Sequence, residues 1–185
     1  MEEGKIVFEG KSDKGKNIII RYPTKTDLKA MWEYINTLSK ERTYITFQGE
    51  KLTLEEEEKF LKTHLEKISK NQAVLLLVFH EGKLIGNSGI DLKERVEKHI
   101  GVFGITIAKG FRGEGIGVKL MELVISEAEK NLPNLEIITL GVFASNDVAK
   151  EMYKKFGFVE YGNLPKGLKL ENGYVDHIYM YKTTK

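Results

Sequence analysis

Hydrophobic positions along the chain fall into alternating strand-like and helix-period stretches. Residues 17–22 hold three consecutive isoleucines, Ile18, Ile19 and Ile20, and Pro23 closes the run, which predicts a strand. Leu28, Met31, Trp32, Ile35 and Leu38 then recur at helical spacing, with Thr26 or Asp27 available as cap. Residues 41–51 break that period and read as a loop. A capping box, Thr53-x-x-Glu56, opens a second helix that turns Leu54, Leu61, Leu65 and Ile68 inward, with residues 55–58 as a solvated first turn and His64 at the boundary. Residues 73–79 are apolar throughout, and Glu81-Gly82-Lys83 turns them back into residues 84–92 as a hairpin. The charged run 93–98 precedes a strand that starts at His99 and includes the apolar residues 102–108. Ile116, Leu120, Leu123, Val124 and Ala128 make one face of a long helix, and residues 137–143 another buried strand. Asn146 caps a short helix with Val148, Met152 and Phe156 on one face, ended by Gly157. Residues 158–161 and 174–181 close the chain as a strand pair, joined by a loop with Pro165 and a turn at Asn172-Gly173. Residues 1–16 are charged and glycine-punctuated, with a frayed strand near Ile6 to Phe8 and no functional signal.

The most informative stretch joins the strand ending near Ala108 to the helix beginning at Ile116. Gly110, Gly113, Gly115 and Gly117 give its backbone conformations closed to other residues and let a ligand approach without a Cβ in the way. A helix start with unpaired N–H groups, beside the fixed charge of Arg112, can hold a phosphate or pyrophosphate. Spacing separates three readings. Gly110 and Gly115 have the P-loop separation, but Ile116 and Gly117 follow instead of Lys and Ser or Thr. Gly113, Gly115 and Gly117 form Gly-x-Gly-x-Gly, not the dinucleotide pattern Gly-x-Gly-x-x-Gly. Arg-x-x-Gly-x-Gly, Arg112 to Gly117, resembles the pyrophosphate loop of the GCN5-related N-acetyltransferases (GNAT). A second stretch, Asn146-x-x-Ala149-x-x-x-Tyr153-x-Lys155-x-Gly157-Phe158, resembles the segment that lines the coenzyme A channel in that family. The order of elements, strand, two helices, three strands, helix, strand, helix, two strands, resembles the family's topology across nearly the whole chain.

Composition narrows the partners. At 185 residues, 41% hydrophobic and 30% charged, the chain suits one compact core; the resemblance implies that it is a single N-acetyltransferase domain over residues 1–185. A net charge of +2 gives no footprint for nucleic acid or an anionic membrane surface. No apolar run reaches membrane-spanning length and the N-terminus is not a signal peptide, so a cytoplasmic monomer or homodimer is expected. The absence of cysteine removes disulfides, thiolate metal sites and an acyl-cysteine intermediate together. His64, His80, His99 and His177 show no metal-ligand spacing, and no metal is expected.

The resemblance implies an α/β (α+β) fold with a mixed central sheet of about seven strands flanked by four helices. It implies direct transfer of an acetyl group from acetyl-CoA, as cosubstrate, to a primary amine of a small molecule or of a protein, through a ternary complex. The alternative is a non-catalytic acyl-CoA-binding regulatory module, which would keep the glycine loop and need no acid or base. On the family pattern, backbone groups at Ile105 and Ile107 bond the thioester carbonyl and pantetheine arm. Arg112, Gly113, Glu114, Gly115, Ile116 and Gly117 surround the pyrophosphate, and Asn146 and Tyr153 meet the thiol-bearing arm. Tyr153 is the candidate general acid, since a phenol within hydrogen-bond reach can hand a proton to a developing thiolate. His99 is a candidate base because imidazole is the side chain whose ordinary titration falls near neutral pH; Asp91, Glu94, Glu97 and Asp176 are carboxylate candidates. The family's glutamate base would fall near Gly101, which has no side chain. Tyr44, Phe47 and Tyr174 are candidates to line the acceptor cleft, with residues 44–49 and 163–172 setting specificity.

Overall fold

The computed structural model describes residues 1–184. Among them the elements run β1 (Ile6–Lys11), β2 (Asn17–Arg21), α1 (Leu28–Lys40), α2 (Leu54–Ser69), β3 (Ala73–His80), β4 (Lys83–Leu92), β5 (Ile100–Ile107), α3 (Ile116–Asn131), β6 (Ile137–Phe143), α4 (Asp147–Lys155), β7 (Val159–Leu170) and β8 (Gly173–Thr183). The fold is mixed α/β with eight strands and four α-helices among the described residues, one strand more than expected. The addition is β1, which is not frayed: it pairs antiparallel with β2 from Ile6↔Arg21 to Lys11↔Asn17. Two compact units result, Met1–Asp91 with Gly104–Pro133, and Leu92–Phe103 with the residues from Asn134 onward, so β5 belongs in part to each. No helix among the described residues is long and apolar enough to cross a membrane.

In the first unit the strands are ordered β1-β2-β3-β4-β5, antiparallel from β1 to β4. Both α2 and α3 pack on β3. Residues 73–78 are accordingly buried at every position, which is why they read as an unbroken apolar run and not as an alternation. Residue 27 ends a 3-10 turn and leads into α1; its carboxylate takes two bonds from Arg21, at 2.8 and 2.6 Å, and one from the Thr24 N–H at 2.7 Å. Tyr22 is fully buried and donates to Glu127 on α3 at 2.9 Å, where Lys5 also reaches at 3.1 Å.

Helix α2 departs from its expected burial at both ends of its first turn. The capping box forms, Thr53 Oγ1 accepting from the Glu56 N–H and the Glu56 carboxylate accepting from the Thr53 N–H. Leu54, however, is 48% exposed, and Glu57 takes the inward position at 5%. Helical phase explains the exchange: Glu57 lies one turn before Leu61 on the face that continues to Leu65 and Ile68, whereas Leu54 precedes that face. Burial pushes the Glu57 carboxyl above its ordinary value, against an opposing pull from His64. The native state therefore keeps a proton that the unfolded chain releases as pH rises past about 4.3, and stability falls with rising pH from there through the folded pKa. Glu57→Gln is expected to melt with the wild type near pH 4 and a few degrees above it at pH 7. Coincident melting curves at pH 7 would show that the carboxyl ionises in place without cost.

In the second unit β5 pairs with β6 in parallel over Ile100↔Ile137, Gly101↔Ile138 and Val102↔Thr139, β6 pairs antiparallel with β8, and β7 pairs antiparallel with β8. Helix α4 differs from its expected face: Val148 is 85% exposed, Met152 and Phe156 are half-buried, and Tyr153 is the residue it buries. Gly157, at φ +83°, ends it as anticipated, with Phe158 N–H donating to the Tyr153 carbonyl at 3.0 Å and Gly157 N–H to that of Lys154 at 2.9 Å. Residues 163–170, expected as loop, continue β7 as an edge strand whose register shifts between Leu164 and Leu168. Pro165 lies inside that irregularity, where a missing N–H breaks no ladder bond.

Candidate active site

The end of β5 and the start of α3 form the cradle. Ala108 N–H donates to the Ile85 carbonyl of β4 at 2.9 Å, and Gly104 C=O accepts from Ser88 Oγ at 2.8 Å. Backbone groups alternate in direction along a strand, so those of residues 104, 106 and 108 point toward β4 and those of Ile105 and Ile107 point to the other edge. A Cβ added at Gly104, Gly110 or Gly113 would meet nothing within 4 Å, so the space over these glycines is open. Gly113 and Gly115 sit at φ +70° and +71°, in the left-handed region. Gly115 is the N-cap of α3, and no side chain caps that helix. The N–H groups of Ile116, Gly117 and Val118 thus have no partner within the helix, and such a helix start suits a pyrophosphate. Ile116 anchors the helix start, 1% exposed.

The loop is held from behind by the turn between β1 and β2, a connection with no signal in the sequence. Asp13 N–H donates to the Glu114 carbonyl at 3.1 Å, Ser12 Oγ donates to the Glu114 carboxylate at 3.2 Å, and Lys16 Nζ pairs with the same carboxylate. The Lys16 bond keeps the Glu114 carboxyl below its ordinary value. Glu114 therefore faces inward as a strut, and its backbone is the part available to a ligand. Arg112 is also engaged: Nη2 donates to Glu41 Oε2 at 2.5 Å and Nε to the Ile107 carbonyl at 2.8 Å. Under β5, Tyr34 Oη lies 2.9 Å from Thr106 Oγ1, which donates to Asn87 Oδ1 at 2.7 Å. Burial raises the Tyr34 pKa, so the phenol remains the proton donor in that chain.

In the second unit Asn146 Oδ1 accepts from the Ala149 N–H at 3.2 Å as the α4 cap, leaving its amide NH2 for any other contact. Tyr153 is 7% exposed, with ring centroids 5.9 Å from Phe103 and 6.1 Å from Phe158. Burial alone pushes its hydroxyl up to about 12. No buried side-chain polar atom among the described residues lacks a partner, and no hydrogen bond contributes to the Tyr153 shift, so the hydroxyl reaches open space. His99 is half-buried before β5, its carbonyl accepting from Glu136 and Ile137 at 2.9 and 3.1 Å. Four residue steps separate it from Phe103, a rise of about 13 Å at about 3.3 Å each. Of the acceptor candidates, Tyr44 is 49% exposed and Phe47 half-buried in the first unit; Tyr174 is 57% exposed beside the β7–β8 turn of the second. No group of His, Asp or Glu among the described residues is arranged to hold a metal ion.

A strand, a glycine loop with a left-handed helix cap and a helix start without a side-chain cap are features suited to an anion such as a cofactor phosphate. The chain belongs to the acetyltransferase (GNAT) family, whose model matches residues 32–158. It is 34% identical over 102 residues to the L-amino acid N-acetyltransferase AaaT of Escherichia coli (strain K12), a match that covers 54% of this chain and 62% of that relative. Its fold is similar to that of an acetyltransferase of the GNAT family from Streptococcus pneumoniae, with a TM-score of 0.82 and 29% identity over 91% of this chain and 99% of the other. The ribosomal-protein-alanine N-acetyltransferase of Brucella melitensis shares the fold at a TM-score of 0.77, with 23% identity over 89% of this chain and 99% of that one.

Proposed function

We propose that the whole chain acts as one N-acetyltransferase domain that moves the acetyl group of acetyl-CoA directly to a primary amine, and that this amine is an α-amino group. The observation that carries the reading is the Arg112–Gly117 loop with Gly115 as a left-handed helix cap, in a chain of this family. The absence of cysteine supports direct transfer over a covalent acyl-cysteine route. Acetyl-CoA supplies an acetyl group already activated as a thioester. The protein's part is to bind, orient and move protons. The N–H groups at the start of α3 take the pyrophosphate, those of Ile105 and Ile107 align the pantetheine arm, and the Asn146 amide donates near its end. Tyr153 donates a hydrogen bond where thiolate charge develops. Its pKa of about 12 exceeds the roughly 8.5 of a free thiol, so the bond stabilises the thiolate without a favourable complete proton transfer.

The acceptor class follows from the base. Gly101 offers no side chain where the family resemblance would place a glutamate base. An acceptor that is partly neutral by itself suits such a site: the terminal α-amine of a peptide, with a pKa of about 7.7–8.0, is roughly a fifth to a third neutral near pH 7.4, that of a free amino acid is less so because its own carboxylate favours the ammonium form, and a lysine amine near 10.4 is only about a thousandth neutral. The name of the Escherichia coli relative points to the same α-amino class. Tyr44, Phe47 and Tyr174 are the candidates to contact the acceptor side chain. Thiol release should be measured with acetyl-CoA against free L-amino acids, short peptides with free N-termini, and Nα-blocked lysine peptides. Release is expected with the first two groups; release only from blocked lysine peptides would overturn the α-amine assignment. Binding of acetyl-CoA with no release from any amine would favour the non-catalytic module.

A further inference from the structure

Glu41 stands where helix electrostatics disfavours it. It is the C-cap of α1, at the negative end of the helix dipole, a position that suits a cation. Its side chain turns away from α1 to the segment between β5 and α3: Oε2 accepts from Arg112 at 2.5 Å and Oε1 faces the Lys109 N–H at 3.4 Å. The pair is largely shielded on the Glu41 side, whose side chain is 16% exposed, against 40% for Arg112. Arg112 in turn uses Nε to cap the Ile107 carbonyl at 2.8 Å, on the edge of β5 that faces away from β4. Two turns earlier on the same face of α1, Tyr34 bonds Thr106 of β5 at 2.9 Å. One helix face therefore grips the last residues of β5 and the entry to the glycine loop at two points.

We propose that Glu41 is a positioning residue for the cofactor's pyrophosphate. It holds Arg112 and the Lys109 amide in place, and so fixes the path by which residues 109–112 enter the glycine loop and aim its N–H groups. The β1–β2 turn already holds Glu114 and lies against Gly115, so the stretch left for Glu41 to fix is residues 109–113, where Gly113 has neither a Cβ nor a neighbour that an added Cβ would touch. An acid at this helix end is otherwise unfavourable, and the Arg112 and Lys109 bonds are its offset. The assignment rests on the acetyltransferase reading of the preceding section.

The test is calorimetric titration of wild type, Glu41→Ala and Glu41→Gln with coenzyme A and, separately, with pantetheine, which lacks the pyrophosphate. Glu41→Ala is expected to bind coenzyme A about tenfold more weakly, equivalent to about 1.4 kcal/mol, and pantetheine as the wild type does. Glu41→Gln, which keeps an acceptor without the charge, should fall between. In turnover assays the KM for acetyl-CoA should rise with kcat and the acceptor KM unchanged, a split that general loosening of the fold would not produce. Glu33→Ala, an exposed change on the same helix, should match wild type in every measurement. Equal or tighter coenzyme A binding by Glu41→Ala would overturn the assignment and instead show Glu41 competing with the ligand for Arg112. An equal loss for both ligands would also overturn it. If the wild type fails to bind coenzyme A, the acetyltransferase reading falls and this assignment with it; a wild type that binds beside an indifferent Glu41→Ala removes this assignment alone.

Discussion

Tyr153→Phe is expected to lower turnover about 100-fold, at the lower end of what a positioned proton donor contributes, while affinity for acetyl-CoA and thermal stability stay close to wild type. The expectation of unchanged stability comes from the hydroxyl's surroundings. The ring is packed between Phe103 and Phe158, contacts that phenylalanine retains. The hydroxyl has no hydrogen-bond partner among the described residues, so its removal orphans no buried group. With a pKa of about 12 the phenol remains protonated across the working pH range, and no limb of the pH–rate profile below about pH 11 should belong to it. Stopped-assay kcat at saturation in both substrates, a calorimetric Kd and a melting curve together check the three parts. Equal kcat would remove the donor role; a matching loss in Kd would make Tyr153 a binding residue instead.

Gly115→Val should abolish measurable coenzyme A binding, a loss of at least about 100-fold, and lower the melting temperature by several degrees. Two costs combine. A β-branched residue at φ +71° is held in a region that costs an ordinary L-residue about 1–2 kcal/mol, and the cost is higher for a branched side chain. A Cβ there would also overlap the Asp13 carboxylate, which the β1–β2 turn lays against Gly115. The carboxylate can rotate away, but the backbone strain remains, so Gly115→Val with Asp13→Ala should recover little binding. Gly113→Ala separates the terms, since it has a similar φ and open space around the added methyl. It should cost stability about as much as the strain alone, and its methyl should project into the space a pyrophosphate needs. Wild-type affinity in Gly115→Val would show that the loop does not hold the phosphate.

Most of the architecture was legible because it is written in local period. The capping box at Thr53, the Gly157 helix stop and the apolar run at residues 73–79 each follow from neighbours within a few positions; the first two are found as read, and the run is a strand fully buried from 73 to 78 and half-buried at Phe79. The errors share a physical origin. Leu54 and Val148 lie near helix starts, where a one-residue change in the assumed face reverses burial, and Glu57 is drawn inward by the phase of Leu61, Leu65 and Ile68. Residues 163–170 carry proline and glycine and read as loop; the edge position of β7 lets them remain strand because one side of the ladder has no partner to lose.

The candidate site divides in the same way. Sequence alone determined the glycine loop, the order of elements around it, the absence of thiol chemistry and the two motifs of the family, because glycine conformations, helix starts and residue types are properties of short stretches. Tertiary structure alone decided that Glu41 claims Arg112, that Ser12 and Lys16 hold Glu114, and that Tyr34 reaches Thr106. Those pairs join residues up to about a hundred positions apart. Their meeting depends on strand order, register and helix rotation, and no spacing within a short window encodes such a contact.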